Sequence, residues 1–97
     1  MMLEVSEDAE AELELARAHY EAERDGLGSE FLDEMEELLT HIADKPLHFQ
    51  KVARTKARRA LGTRFPYQVV FFVLTDRVRV IAVAHQKQRP RYWRGRA

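Results

Sequence analysis

The run Gln68-Val69-Val70-Phe71-Phe72-Val73-Leu74 constrains this chain more than any other stretch of it. Successive side chains of a strand point to opposite faces, so Val70, Phe72 and Leu74 share one face and Val69, Phe71 and Val73 the other. A strand with one solvated face alternates apolar with polar residues; this one is apolar on both and has to be covered twice. It lies at the centre of a longer stretch, Arg58 to His85, in which two short interruptions separate three apolar segments. That is the rhythm of a three-stranded antiparallel meander. Phe65-Pro66-Tyr67 marks the first corner, where proline fixes φ and donates no ladder hydrogen bond. Thr75-Asp76-Arg77 marks the second, with aspartate suited to a tight polar turn.

One cover comes from the first half of the chain. Met1 to Val5 is long enough for one brief strand. Ser6 is an N-cap, and Glu7 and Asp8 suit the positive end of a helix. Ala9, Leu13, Ala16 and Tyr20 recur at helical spacing, with Ala11, Leu15, Ala18 and Ala22 broadening the apolar side. Asp25-Gly26-Leu27-Gly28 stops this helix. A second helix is predicted from Leu27 to Ala43, with Phe31, Met35, Leu38, Leu39 and Ile42 on one stripe. Lys45-Pro46 ends it. The pair forms an antiparallel hairpin on one face of the meander, a two-layer α+β domain spanning 1–97 with a three- to four-stranded antiparallel sheet, in the order β-α-α-β-β-β. Phe31, Leu38, Ile42, Val70, Phe72 and Ile81 or Val80 are the expected core. Leu47 to Ala57 reads as a connection that becomes the first meander strand near Ala57. Residues 86–97 form a basic aromatic tail in which Tyr92 and Trp93 argue for docking of at least part of it.

The sequence carries sixteen basic and sixteen acidic side chains, and their balance hides a split. Residues 1–48 hold fifteen acidic and three basic side chains; residues 49–97 hold one acidic and thirteen basic. Either the halves complement each other on folding, or the basic half presents a working surface to a polyanion or an acidic protein. The basic residues continue to the C-terminus, beyond any expected core, which favours the second reading. There is no cysteine, so disulfides and thiolate zinc sites are excluded. His19, His41 and His48 have no metal-ligand spacing, and no metal or cofactor is expected. No apolar run approaches the ~20 residues that span a bilayer, and the acidic N-terminus is unlike a signal peptide, so a cytoplasmic protein is expected.

Several groups of residues, taken in order, carry a family resemblance. They are Ala9…Glu12-Leu13…Ala16…Tyr20-Glu21, then Gly26-Leu27-Gly28…Phe31-Leu32-Asp33-Glu34, then Ile42…Pro46. Arg58-Arg59…Phe65-Pro66-Tyr67 and Ala82-Val83-Ala84-His85…Arg89-Pro90-Arg91-Tyr92-Trp93 continue the series. Over nearly its whole length the chain resembles the RelE/ParE superfamily of toxins from bacterial type II toxin–antitoxin systems, which also serve plasmid stabilisation. The Gly-Leu-Gly junction, the Phe-Pro-Tyr corner and the His…Arg-Pro…Trp tail look more like ParE. The resemblance implies growth inhibition relieved by a cognate antitoxin, and for ParE-like members inhibition of DNA gyrase by protein contact. RelE-like members instead cleave mRNA on the ribosome. A degenerate member would only bind its antitoxin.

The two activities ask different things of the residues. Metal-free cleavage through a 2′-hydroxyl needs a base, an acid and cations around the phosphate. Lys51, Lys56, Arg58, Arg59 and Arg89 would supply the cations, and His85 and Tyr92 the proton transfers. Lys51, Lys56 and Tyr92 match the RelE-like arrangement only loosely in spacing. For target contact the candidates are Arg58, Arg59, Arg64, Arg89, Trp93 and Arg94. Arg58 and Arg59 fall on opposite faces of a strand, so one of them is free to pair with the acidic helices. His85, at a strand end, has a plainer role in bonding backbone or a nearby carboxylate, and Trp93 a plainer role in anchoring the tail. The face of the meander that the helices leave bare predicts an antitoxin segment that folds across it, or dimerisation of the free protein through it.

Overall fold

The computed structural model describes residues 1–97. The chain forms β1 (Met2–Val5), α1 (Glu7–Glu23), α2 (Leu27–Asp44), a single 3-10 turn (Pro46–His48), β2 (Arg58–Leu61), β3 (Tyr67–Val73) and β4 (Arg77–His85). The four strands lie in the order β1-β4-β3-β2. β2, β3 and β4 are the expected antiparallel meander, but β1 runs parallel to β4, so the sheet is mixed rather than wholly antiparallel. Alternation in Met2–Val5 records which side chains face the helices, and it is the same beside a parallel or an antiparallel neighbour. Strand direction was therefore not encoded there.

Ser6 caps α1 as expected, its hydroxyl accepting from the Ala9 N–H at 3.1 Å. At the hairpin junction Gly26 adopts φ 87°, a backbone that glycine takes without steric cost. The Glu21 carboxylate accepts from the N–H groups of Gly26 (2.9 Å) and Gly28 (3.0 Å), tying the end of α1 to the start of α2.

The helix-facing side of β3 carries Val69, Phe71 and Val73, which pack with Phe31, Met35 and Ile42. The rings of Tyr20, Phe31, Phe65 and Tyr67 group beside them, with Phe31 5.1 Å from Tyr67 and 5.5 Å from Phe65 between centroids. Of the expected core, Phe31, Ile42, Val70, Val80 and Ile81 are buried, whereas Leu38 and Phe72 are only half-buried. Phe71 fills the helix-facing place.

The opposite face is not left to a partner. Trp93, 4% exposed, packs on Ala57, Val70, Ile81 and Ala82, with Val52, Phe72 and Tyr92 around it. The chain's own tail thus supplies much of the second cover, a correction to the expectation that this face awaits another molecule. A bulge prepares β4 for the tail. Val70 pairs with Ala82 and Phe71 with Val80, which leaves Ile81 unpaired and turns Ile81 and Ala82 to the same side.

Glu34 of α2 reaches to the first corner. Its carboxylate accepts from the backbone N–H of Thr63, Arg64 and Phe65, each at 3.0–3.1 Å, and from the Thr63 hydroxyl. Gly62 makes this approach possible: a Cβ there would lie 2.5 Å from the Phe65 carbonyl oxygen and 2.8 Å from Glu34 Oε1.

Candidate functional site

β1 covers the edge of β4 only as far as Val80. Beyond it, side chains take the place of a strand. Glu12 of α1 accepts from the Val83 N–H at 3.0 Å, and Arg96 of the tail donates to the Ile81 carbonyl at 3.0 Å. Arg96 and Glu12 are joined by two hydrogen bonds of 2.9 and 3.1 Å, and the Tyr92 hydroxyl donates to Glu12 Oε2 at 2.7 Å. This clasp satisfies an N–H and a carbonyl of an open strand edge and fastens the tail over the sheet. The Arg79 Nε–H donates to the Ala97 carbonyl at 2.8 Å and pins the end of the tail.

The clasp decides the fate of one proton-transfer candidate. Burial, reinforced by the hydrogen bond and charge of Glu12, pushes the Tyr92 phenol well above its ordinary range. The group is held neutral and spent on an internal bond. His85 is similarly engaged: its Nδ1 accepts from the Lys87 N–H at 3.0 Å, and its ring lies edge-on to Tyr67 at 5.2 Å. Of the sequence-based nuclease set of Lys51, Lys56, Arg58, Arg59, His85, Arg89 and Tyr92, Tyr92 is committed to Glu12, Arg58 to the Phe49 carbonyl, and His85, through one ring nitrogen, to the Lys87 N–H.

The candidate contact residues divide. Arg58 faces the helices, and its guanidinium donates to the Phe49 carbonyl at 2.7 Å. Arg64 pairs with Glu30 of α2 and lies over the Phe65 ring. Arg77 and Arg79 both bind Glu4, whose carboxyl Arg79, and then Arg77, hold below its usual range. Trp93 is the anchor of the tail. Arg59, on the face opposite Arg58, has no side-chain partner, and neither do Lys51, Arg54 and Lys56 nearby in sequence. In the tail Lys87, Arg89, Arg91 and Arg94 are likewise unpaired. The unpaired cations of the basic half thus fall into two segments, 51–59 and 87–94. Those segments meet in a cleft of about 320 Å³ where Lys51, Arg59 and Arg91 come together beside Trp93. Sequence reasoning missed Arg91, Glu12 and Arg96, because each acts through a neighbour far away along the chain.

It also misplaced part of α1. Ala11, Leu15, Ala18 and Ala22, expected to widen the buried side, are all exposed, Leu15 to 74%. The sheet takes only Ala9, Leu13, Ala16 and Tyr20, leaving an apolar stripe on the outer surface of the helix. Beside it runs a groove of about 580 Å³ whose walls include Leu15, Ala18, Tyr67 and Val83. No three His, Asp or Glu side chains group as metal ligands, and no helix is long and apolar enough to cross a membrane.

A helical hairpin on one face of a four-stranded mixed sheet, with a basic tail on the other, defines the class of fold. The same fold occurs in a solved structure described as the chromosomal ParDE TA system from P. aeruginosa, with a TM-score of 0.72 over 88% of this chain and 95% of that one, at 16% identity. The model of the family described as ParE toxin of type II toxin-antitoxin system, parDE, matches residues 3–90. The chain belongs to the ParE toxin family. Membership implies an antitoxin as partner. No curated protein matches the sequence.

Proposed function

We propose that the protein inhibits DNA gyrase by protein contact and that a cognate antitoxin neutralises it. Membership of the ParE family supports the toxin role, and the likeness of its junction, corner and tail to ParE supports the target. The observation that carries contact over RNA cleavage is the commitment of Tyr92 to Glu12, with one ring nitrogen of His85 also engaged by the Lys87 N–H. With its phenol pushed up by burial and Glu12, Tyr92 is a poorer proton donor than a free tyrosine, the reverse of what a general acid requires. The unpaired cations of 51–59 and 87–94 suit an acidic target surface and give contact that salt weakens.

The antitoxin fits the outer stripe of α1 and its neighbouring groove. Ala11, Leu15, Ala18 and Ala22 follow the spacing that a partner segment with an apolar stripe requires, and the acidic residues flanking them select a partner carrying positive charge. The test is to express the protein alone and with the product of the adjacent gene. Filamentation with an SOS response, and loss of supercoiling by purified gyrase, are expected without the antitoxin and absent with it. Collapse of mRNA and translation while gyrase remains active would overturn the target.

A further inference from the structure

The cleft beneath the tail has a chemistry that toxin membership does not explain. Its cations, Lys51, Arg59 and Arg91, have no carboxylate partner, and no acidic residue lines it. The one acidic residue of the basic half, Asp76, is taken by Arg77 at the far end of the sheet. Four glutamines share the lining with the cations: Gln50, Gln68, Gln86 and Gln88. Gln86 is already oriented, its amide nitrogen donating to the carbonyls of Gly62 (3.2 Å) and Tyr67 (3.0 Å), which fixes where its oxygen points. The other three amides have no partner in the protein. Trp93 forms one wall. Its indole N–H has no acceptor in the protein, yet no buried side-chain nitrogen or oxygen lacks one, so this N–H is a part of the ring that keeps contact with solvent. Arg91 stands on the rim with φ 61°, a left-handed backbone uncommon for any residue but glycine. Such conformations gather at sites that recognise ligands, although Arg54, which does not line the cleft, shares this one at φ 65°.

We propose that this cleft binds a nucleoside phosphate, as a free nucleotide or as an unpaired nucleotide of a strand. The guanidiniums of Arg59 and Arg91 suit phosphate oxygens in a paired geometry, with Lys51 adding a point charge. Primary amides present a donor and an acceptor side by side, which matches the edge of a base, adenine in particular. The volume, about 320 Å³, falls at the small end of ligand sites and matches a single nucleotide rather than an extended acidic peptide. His85 and Tyr92 do not line the cleft, and the proposal is one of binding alone. The inference goes beyond the toxin reading and stands whether or not gyrase is the target.

The test is titration of the full chain, followed by NMR of the glutamine amides and the Trp93 indole, with AMP, adenosine, inorganic phosphate and a short oligo-dA. AMP is expected to shift Gln68, Gln88 and Trp93 and to bind roughly tenfold or more tightly than adenosine or phosphate alone. If a strand is the natural source, oligo-dA binds more tightly than AMP with the same resonances moving; if a free nucleotide is, the two bind alike. Arg91→Gly removes the guanidinium and relieves the left-handed backbone, so folding is preserved while affinity falls roughly tenfold or more. Arg59→Gln is expected to weaken binding similarly, and Arg17→Gln, on α1 and paired with Glu14, to leave it unchanged. Inorganic phosphate binding as tightly as AMP, cleft resonances that do not move, or full affinity in the Arg91→Gly protein would each overturn the proposal.

Discussion

Replacing Glu12 with glutamine keeps the shape of the side chain and removes its charge. The carboxylate accepts four hydrogen bonds, from the Val83 N–H, the Tyr92 hydroxyl and two guanidinium nitrogens of Arg96. An amide has one acceptor oxygen. If that oxygen keeps the Val83 N–H, the new NH2 group faces Arg96 donor against donor, and the paired bond is lost. A hydrogen bond to a charged group contributes about 1.5–3 kcal/mol. The side chains of Arg96 and Glu12 retain 24% and 22% exposure, so water screens part of the interaction and the lower half of that range applies. The expected loss is about 2 kcal/mol, which in a chain of this size lowers the unfolding midpoint by about 8–16 °C. Circular dichroism measures the midpoint, and the emission of Trp93, the sole tryptophan, follows the tail separately. A red shift in Glu12→Gln below the main transition is expected, because the clasp is what fastens the tail. Arg96→Gln should reproduce both effects, with a coupling of about 1 kcal/mol or more in the double-mutant cycle. An unchanged midpoint together with unshifted Trp93 emission would refute the reasoning.

Phe71→Ala is expected to cost about 3–5 kcal/mol, and Phe72→Ala, at a half-buried position, clearly less; equal losses in urea denaturation would contradict the register. Tyr92→Phe tests the alkaline limb of stability. Because folding raises its pKa, the folded chain holds a proton that the unfolded chain releases above about pH 10, so this stabilisation is intact below that pH and is lost as pH rises towards the folded value. The substitution should flatten that loss only in part, since burial also raises Tyr20 and Tyr67. At acid pH the sign is opposite. Burial pushes the Glu34 carboxyl up, but the N–H groups of Arg64, Phe65 and Thr63 and the Thr63 hydroxyl together outweigh it and hold the pKa low, so its stabilisation disappears as pH falls below the usual carboxylate range, and Glu34→Gln should weaken that dependence. Leu15→Glu is expected to abolish antitoxin binding in a pull-down while leaving the unfolding midpoint within about 3 °C, because the residue is 74% exposed.

The elements were legible where local chemistry speaks for itself. The serine cap, the glycine junction and the apolar period placed both helices, and the two interruptions placed the corners of the meander. Phe71 and Phe72 show the limit. Alternation separates them onto opposite faces but cannot say which face meets the helices, because both rows of side chains are equally apolar. Trp93 was open to reading as the anchor of the tail, but the same ambiguity hid which face it would cover. Two apolar faces require two covers, and the sequence does not reveal that twelve tail residues suffice for much of the second. On α1, four exposed apolar residues and four packed ones carry similar side chains, so composition could not divide the stripe that packs on the sheet from the one that faces outward.

The charge split has both of the meanings open to it, in different places. The acidic half is partly an instrument of folding: Glu21, Glu34 and Glu12 each accept backbone N–H groups at a place where the ladder or a helix leaves them unpaired. An N–H left without an acceptor in a partly buried setting is costly, and a carboxylate that accepts several at once satisfies a whole turn from one residue. Arg64, Arg77, Arg79 and Arg96 complete this half of the account by pairing with Glu30, Glu4 and Glu12. If complementarity of the halves were the whole reason for the asymmetry, the remaining cations would also find carboxylates, and those of 51–59 and 87–94 do not. Like charges gathered around one cleft raise the energy of the folded chain through mutual repulsion. A phosphate or an acidic partner removes that repulsion on binding, and the segments that bear these charges are the two that frame the tail-covered face.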